Sequence, residues 1–438
     1  MRISTATVQG CRSAGILHWQ LLAFNEVRMK TFLFLALIGT LGALRAGAQG
    51  SFATLYNLQG SDPVGLTAYN GVLYGATAAT GFNCGNIFQL QPPDGGPSAP
   101  AEMWTETVLY TFTGINGDAC EPAAAPVAGP HGVLYGTSIA GGGITLSGTV
   151  FELDPPTSPG ATWTEKILHS FSGPDGTTPF TAVVRSPDGA LLGTATGGGT
   201  YDSGCVFRLD PPAAPGGAWT ETVLYDFPRG YAAGAVPVSL TLGDQGVIYG
   251  TTELGGRSRI SAGTVFQLSP PATPGGSWTE TVLHSFTGFA DGSTPYWPAV
   301  GSDGAIYGTT FGTTLIGDYE GPYGLGTVFQ LLPPAEPGGT WAKTTLHQFG
   351  WGRGFGPDSP LILRNGNIFG TASSPAGGAV FELQPPSTPG GAWNRIILHL
   401  FTNGETPYGA LVMDESGALY GSTKTFPQPS GTVYRIRP

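Results

Sequence analysis

Residues 430–438 read SGTVYRIRP, and two earlier stretches nearly repeat them: SGTVFELDPP at 147–156 and AGTVFQLSPP at 262–271. Each earlier copy runs through a Pro/Gly-rich connection into a phrase such as TETVLHSF, residues 279–286. No such phrase follows the last copy. A matching one, SFATLYNLQG at 51–60, stands alone ahead of the first unit. Its Leu55, Tyr56 and Leu58 occupy the positions held later by Leu398, His399 and Phe401. We expect this orphan to pair with the last copy, so that the final unit is completed rather than cut short.

The unit recurs throughout. A glycine in an LYG-like phrase returns at Gly75, Gly136, Gly193, Gly250, Gly308, Gly370 and Gly421, at spacings of 61, 57, 57, 58, 62 and 51. The GTVF-like phrase returns with Phe88, Phe151, Phe207, Phe266, Phe329, Phe381 and Tyr434. Fixed periods of this length point to a repeat architecture. Each unit reads as four strands: a proline-led one (TPFTAVVRS, 178–186), then GALYGST-like, GTVFQL-like and TETVLHSF-like ones. Val, Ile, Tyr, Phe and Thr dominate, as half-buried pleated surfaces prefer. Asn70-Gly71, Asp188-Gly189, Asp303-Gly304 and Asn365-Gly366 mark tight hairpin turns between the first two strands. Four strands repeated seven times predict an all-β, seven-bladed β-propeller. Its four-stranded antiparallel blades form a ring closed by the strand near 52–58, which joins the two chain ends and leaves no open edge.

The composition is consistent with this. Gly (71) and Pro (38) are about a quarter of the 438 residues, yet 40% of the chain is hydrophobic, so they punctuate short elements rather than signal disorder. Residues 1–48 differ. From Met29 they read MKTFLFLALIGTLGALRAGAQG, with a basic start, an apolar run and a small-residue cleavage site. We expect residues 1–48 to be a secretory signal peptide, with Met29 as the true start or residues 1–28 as a long basic leader. Residues 49–438 are then one propeller domain, exported to a bacterial periplasm, cell surface or medium. Past residue 48 there are 13 basic and 28 acidic residues, net −15, with no basic stripe, which argues against nucleic acid. No later segment is apolar enough to span a membrane. We expect a monomer without a cofactor.

SPDGALLGTATGGGTYDSGCVFRLDPP (186–212), SDGAIYGTT (302–310), GTVFQLLPP (326–334) and LHQF (346–349) together resemble the GloVer, or Gloeo/Verruco, tandem repeat of exported bacterial proteins. The resemblance covers about residues 52–438. It implies a secreted or surface propeller. It carries no settled activity, so no catalytic residue transfers.

The residue types that could do chemistry mostly obey the repeat. His169, His284, His347 and His399 share one position with Tyr56, Tyr110 and Tyr225, which suits a packing site with a polar tip better than a metal site. Trp104, Trp163, Trp219, Trp278, Trp341 and Trp393 each close a Pro/Gly connection, as a device covering the blade edge or as six equivalent sugar sites. Asp118, Asp175 and Asp291 lack the alternating spacing of calcium loops and read as turn formers. Phosphate loops, HExxH and a GxSxG elbow are absent.

A unique site should break the repeat. The second-to-third connection of blade 5 swells to hold Asp318, Tyr319, Glu320 and Tyr323, and that of blade 3 holds Tyr201 and Asp202. The loop entering blade 4 adds Arg229 and Tyr231, and the one entering blade 6 adds Trp351, Arg353 and Phe355. In a four-stranded meander these connections share one face. Aromatics with scattered charges there suit a carbohydrate, peptide or protein ligand. Cys84 and Cys120 lie on the same face in adjacent blades and are expected to form a disulfide; Cys205 falls inside a strand as a buried thiol. The reading is thus a non-enzymatic binding module or scaffold. The alternative is a polysaccharide lyase or glycoside hydrolase at the channel mouth. It would draw on Asp202, Asp318 and Glu320, since a glycosidase needs two carboxylates about 5–10 Å apart.

Overall fold

The computed structural model describes residues 51–438 apart from 59–61, 79–83, 94–103, 144, 215, 231, 257–260, 274, 313–325, 337, 351–355, 358, 375–376, 389, 403 and 426–429. Seven antiparallel sheets follow one another, each a four-stranded meander forming one blade. In blade 3 the strands are Val184–Arg185, Leu191–Ala195, Cys205–Asp210 and Thr220–Asp226. The first strand of blade 2 is split into Ala119–Pro122 and Val127–Ala128, with Pro122 and Pro126 interrupting the ladder. No α-helix occurs among the described residues, and none of their helical turns is long or apolar enough to cross a membrane.

Blade 7 takes strands Glu405–Met413, Leu419–Thr425 and Gly431–Arg437 from the C-terminal end of the chain. Its fourth strand is Ser51–Leu58, antiparallel to Gly431–Arg437, with Phe52 opposite Ile436 and Leu58 opposite Gly431. The ring is closed as expected.

The repeated phrases explain themselves in the pairing. The LYG glycine stands opposite the GTVF aromatic in every blade, Gly75 with Phe88 and Gly193 with Phe207 among them. A methyl group built on Gly75 would fall 2.3 Å from Phe88 Cζ. The ring fills the space that a side chain would take, which is how an aromatic offsets the weakness of glycine in a strand.

Neighbouring blades meet through a second aromatic series. Phe112, Phe171, Phe227, Phe286, Phe349 and Phe401 end the fourth strands. They pack at 5.0–5.5 Å on Phe151, Phe207, Phe266, Phe329, Phe381 and Tyr434 of the following blade. In the seventh junction Leu58 takes this place beside Phe88. Every fourth strand also carries a one-residue register shift. The extra residue is a leucine such as Leu55 or Leu398. The bulge breaks strict alternation, so Leu55 and Leu58, three residues apart, both reach the core.

The hairpin turns divide into two kinds. Asn70-Gly71 and Asn365-Gly366 have positive φ at both residues, as two-residue turns require. At Asp188-Gly189 and Asp303-Gly304 only the glycine is left-handed. There the aspartate instead accepts the N–H of Ala190 (3.3 Å) or Ala305 (3.1 Å). Cys84, after the second strand of blade 1, is bonded to Cys120 at the start of blade 2. Cys205 is a buried thiol.

Candidate functional site

Of the loop residues singled out by sequence, the structure describes Tyr201, Asp202 and Arg229. Tyr231, Asp318, Tyr319, Glu320, Tyr323, Trp351, Arg353 and Phe355 lie outside the described residues. Tyr201 is 44% exposed at the tip of its turn. Asp202 is left-handed (φ 55°) and accepts the N–H of Gly198 at 3.3 Å, so its carboxylate stabilises its own turn. That turn is tied to the fourth strand, because Thr200 donates its N–H and its hydroxyl to Asp226 at 3.3 and 2.8 Å. Arg229 is exposed, and no hydrogen bond or ion pair among the described residues joins these three.

A different site emerges from the first strands, which line the central channel. The second residue after the leading proline is Gly65, Ala124, Thr181, Ser239, Trp297, Ser359 and Gly409 in blades 1 to 7. Six are small and one is tryptophan. Where they are smallest the strands meet. A methyl group on Gly409 would lie 2.6 Å from Gly65 Cα, and one on Gly65 would lie 3.6 Å from Ala125 Cβ. Blades 7, 1 and 2 therefore close their side of the channel. The side formed by blades 3 to 6 stays open as a cavity of about 490 Å³. Its walls carry Thr181, Val183, Ser239, Leu240, Trp297 and Leu361, and no charged side chain. That volume lies within the usual range for small-molecule sites.

Trp297 is held there against local preference. Its φ is 55°, and the pairing of its strand shifts register between Tyr296 and Ala299. Its N–H donates to Ser239 Oγ of blade 4 at 2.9 Å. Such an outlier costs about 1–3 kcal/mol and persists only where the surroundings enforce it.

The mouth of the channel, on the irregular-loop face, departs from the repeat as well. Directly after the leading proline stand Tyr296 and Tyr408, with an exposed Phe180 in blade 3. The third residue after the second-strand glycine is charged only in Glu253 and Lys424. Lys424 Nζ lies 3.6 Å from the centroid of the Tyr408 ring, a cation–π contact. Burial, and then the neighbouring Glu253 and Tyr408, push the Tyr296 phenol far above its ordinary range. Burial also raises Glu253. These residues sit on strands rather than in the variable loops, and their departure from the repeat shows only when the seven first strands are aligned by their prolines.

The histidines stand in separate seams between blades. His169 bonds Asp175 at 2.8 Å and His284 bonds Asp291 at 3.1 Å, while Lys343 of blade 5 reaches Asp291 at 2.9 Å. Asp175 and Asp291 also hold their own turns through Ser172 and Thr287. In the first seam Tyr110 donates to Asp118 at 3.2 Å, and Glu165 of blade 2 accepts the Ala119 N–H at 3.3 Å. Burial first, then the hydrogen bond and charge of Asp118, push Glu165 up to about 9. Trp104, Trp219 and Trp341 pack at 5.9–6.2 Å on Tyr420, Tyr135 and Tyr249 of the preceding blade. They are blade-packing residues, and a tyrosine partner is a relation the sequence reading does not contain. No group of three His, Cys, Asp or Glu able to hold a metal occurs among the described residues.

The model of the Gloeobacter/Verrucomicrobia repeat matches residues 121–314 and 261–438. The chain belongs to this family. In this Gloeobacter/Verrucomicrobia repeat protein the recurring phrases build the scaffold, and the channel residues are those that leave the pattern. No curated protein matches the sequence. Among solved structures it is similar to a polysaccharide lyase described as an ulvan lyase, at 11% identity and TM-score 0.55, covering 87% of this chain and 94% of that one. The same kind of enzyme bound to -[GlcA(1-4)Rha3S]- matches at 10% identity and TM-score 0.53, over 87% and 94% of the two chains. Polysaccharide lyase Uly1 matches at 11% identity and TM-score 0.50, over 85% and 89%. At such identities the likeness is one of fold.

Proposed function

We propose that this propeller is an exported binding module that takes the end of a saccharide chain into its channel mouth without altering it. The observation that carries the reading is Trp297. An indole occupies the one large position in a column of small residues, facing an uncharged cavity beside Ser239 and Thr181. Aromatic faces with a few hydroxyls are the surfaces that a sugar ring, with its apolar faces and hydroxyl rim, can use. The loop residues Tyr201 and Arg229 lie around the same face and would contact the rest of the chain. A glycan array followed by calorimetry tests this. A hit on wild type that falls at least tenfold in Trp297→Ala supports the reading; unchanged affinity in the variant sinks it.

A polysaccharide-cleaving enzyme is the second reading. What favours it is that Glu253 and Tyr296, at the mouth, hold their protons more tightly than usual, as a general acid must. Chromatography of any bound glycan after long incubation separates the two, since shortened chains that vanish in Glu253→Gln would overturn the binding-only reading. Export to an oxidising compartment, after removal of residues 1–48, suits the Cys84–Cys120 bond. N-terminal sequencing of the protein recovered from culture medium or periplasm checks the cleavage, and light scattering checks the monomer.

A further inference from the structure

The face opposite the channel mouth carries the first-to-second strand turns. Where blades 6 and 7 meet there, a cavity of about 610 Å³ opens. Arg364 and Asn365 come from the blade 6 side, Ser416 from the blade 7 turn, and Arg437 from the last strand; Phe369 and Met413 form an apolar wall. The charges are unusual for so acidic a chain. Arg364 donates from Nη1 to the Asp414 carbonyl at 3.0 Å and from Nη2 to the Glu415 carbonyl at 2.8 Å. Those acceptors are neutral, so they hold the guanidinium in place without cancelling its charge. The Arg437 side chain makes no hydrogen bond or ion pair among the described residues.

Two of the nearby acids are engaged elsewhere. Asp414 accepts from Ser416 Oγ, the Ala418 N–H and Tyr420 Oη at 2.6, 3.0 and 3.0 Å. Glu382 accepts from Asn367 and Gln384 at 2.6 and 3.3 Å. Glu415 is exposed. Among the described residues no ion pair joins either arginine to a carboxylate. The positive potential reaches Tyr420, whose phenol burial and Asp414 raise to about 12 while Arg435 and Arg437 act against that rise.

We infer that this pocket is an oxyanion site in which Arg364 and Arg437 take a carboxylate or sulfate group between them. Two guanidinium groups in one concave, partly desolvated place repel each other until an anion intervenes, and each offers a planar fork that matches two oxygens of such a group. The apolar wall of Phe369 and Met413 gives the ligand's carbon skeleton a surface to lie on. Being on the opposite face, the site does not depend on the saccharide reading.

Calorimetry at constant ionic strength tests it with sodium sulfate, sodium glucuronate and a sulfated oligosaccharide. Saturable binding that weakens at least tenfold in Arg437→Gln and less in Arg437→Lys is the expected result, with circular dichroism confirming that the variants fold. Trp297→Ala should bind inorganic sulfate as wild type does. In Trp297→Ala, where the channel no longer competes, oligosaccharide binding much tighter than that of inorganic sulfate assigns the group to a glycan; equal affinities assign the site to a free anion. Wild type that takes up none of the three, or Arg437→Gln that binds as well as wild type, overturns the proposal.

Discussion

Gly431, at the start of the last strand, lies against the ring of Pro63, which begins blade 1. A methyl group on the glycine would stand 2.4 Å from Pro63 Cδ and 2.4 Å from the Thr423 carbonyl. The same contact joins Gly85 to Pro122, Gly148 to Pro179, Gly204 to Pro237, Gly263 to Pro295, Gly326 to Pro357 and Gly378 to Pro407. The glycine of each GTVF phrase and the leading proline of the next blade are thus one device, used seven times around the ring. Gly431→Ala should lower the melting temperature through overpacking of about 1–3 kcal/mol. Pro63→Ala should not rescue it, because the Thr423 carbonyl remains. Gly216→Ala is the control: it has open space and a left-handed φ of 80°, so it should cost only about 1 kcal/mol. Equal melting shifts for the two variants would contradict the interlock.

Removal of residues 51–58 leaves Gly431–Arg437 as an open edge strand and uncovers His399, on which Phe52 stacks at 3.7 Å. The truncated protein should melt well below the intact one and associate through the bare edge. A synthetic peptide of residues 51–60, added in excess, should restore the melting curve and the monomer by light scattering. A curve indifferent to both truncation and peptide would refute closure by this strand.

Most of the scaffold was readable because each of its contacts is written seven times. Gly75 with Phe88, Gly85 with Pro122 and the fourth-strand aromatics recur in the same order in every unit, so the pattern names the blade and its boundaries. The partners of those residues were not readable, since period and composition say nothing of which surface faces which neighbour. That Trp219 packs on Tyr135 of the blade before it follows from the ring geometry alone. The channel residues escaped for another reason. Attention to variable loops favours long insertions, whereas Trp297 differs from its column by one substitution inside a strand of ordinary length. Arg364 and Arg437 are far apart in sequence, and only the packing of blade 7 against blade 6 brings them to one pocket.

The Asp118–Glu165 seam makes stability depend on pH. Glu165 rises from its ordinary 4.5 to about 9, with burial the largest cause. Between these values the folded state holds a proton that the unfolded state has lost, so stability falls as pH rises through the window. Urea unfolding of wild type should therefore show a declining midpoint from weakly acid to alkaline pH. Glu165→Gln, which keeps a neutral hydrogen-bonding group, should flatten that decline. An identical slope in the variant would place the effect elsewhere.

His347 works in the opposite sense. Burial, aided by Arg395 of the next blade, depresses it from 6.5 to about 4. Between those values the unfolded chain binds a proton that the folded one refuses, so stability is lost as pH falls through the window. Tyrosine fills this position in three other blades. His347→Tyr should thus fold and should remove part of the acid sensitivity, measured as the change in urea midpoint between neutral and weakly acid pH. A variant as acid-sensitive as wild type would count against this histidine.

If the channel binds saccharide as proposed, Trp297 sets local stability against that use. Its left-handed backbone costs about 1–3 kcal/mol, and its ring is only half-buried, so the packing it contributes is modest. Blades 1 and 7 place glycine in this column, and glycine adopts φ 55° without strain. Trp297→Gly should therefore melt at or above the wild-type temperature while losing saccharide binding. Trp297→Ala removes the same ring but keeps the backbone strain, so it should lose binding and melt below the glycine variant. If the ring instead served only to fill the channel, the glycine variant would be clearly destabilised by its cavity. Paired melting and calorimetry on the two variants separate a residue kept for its ligand from one kept for the core.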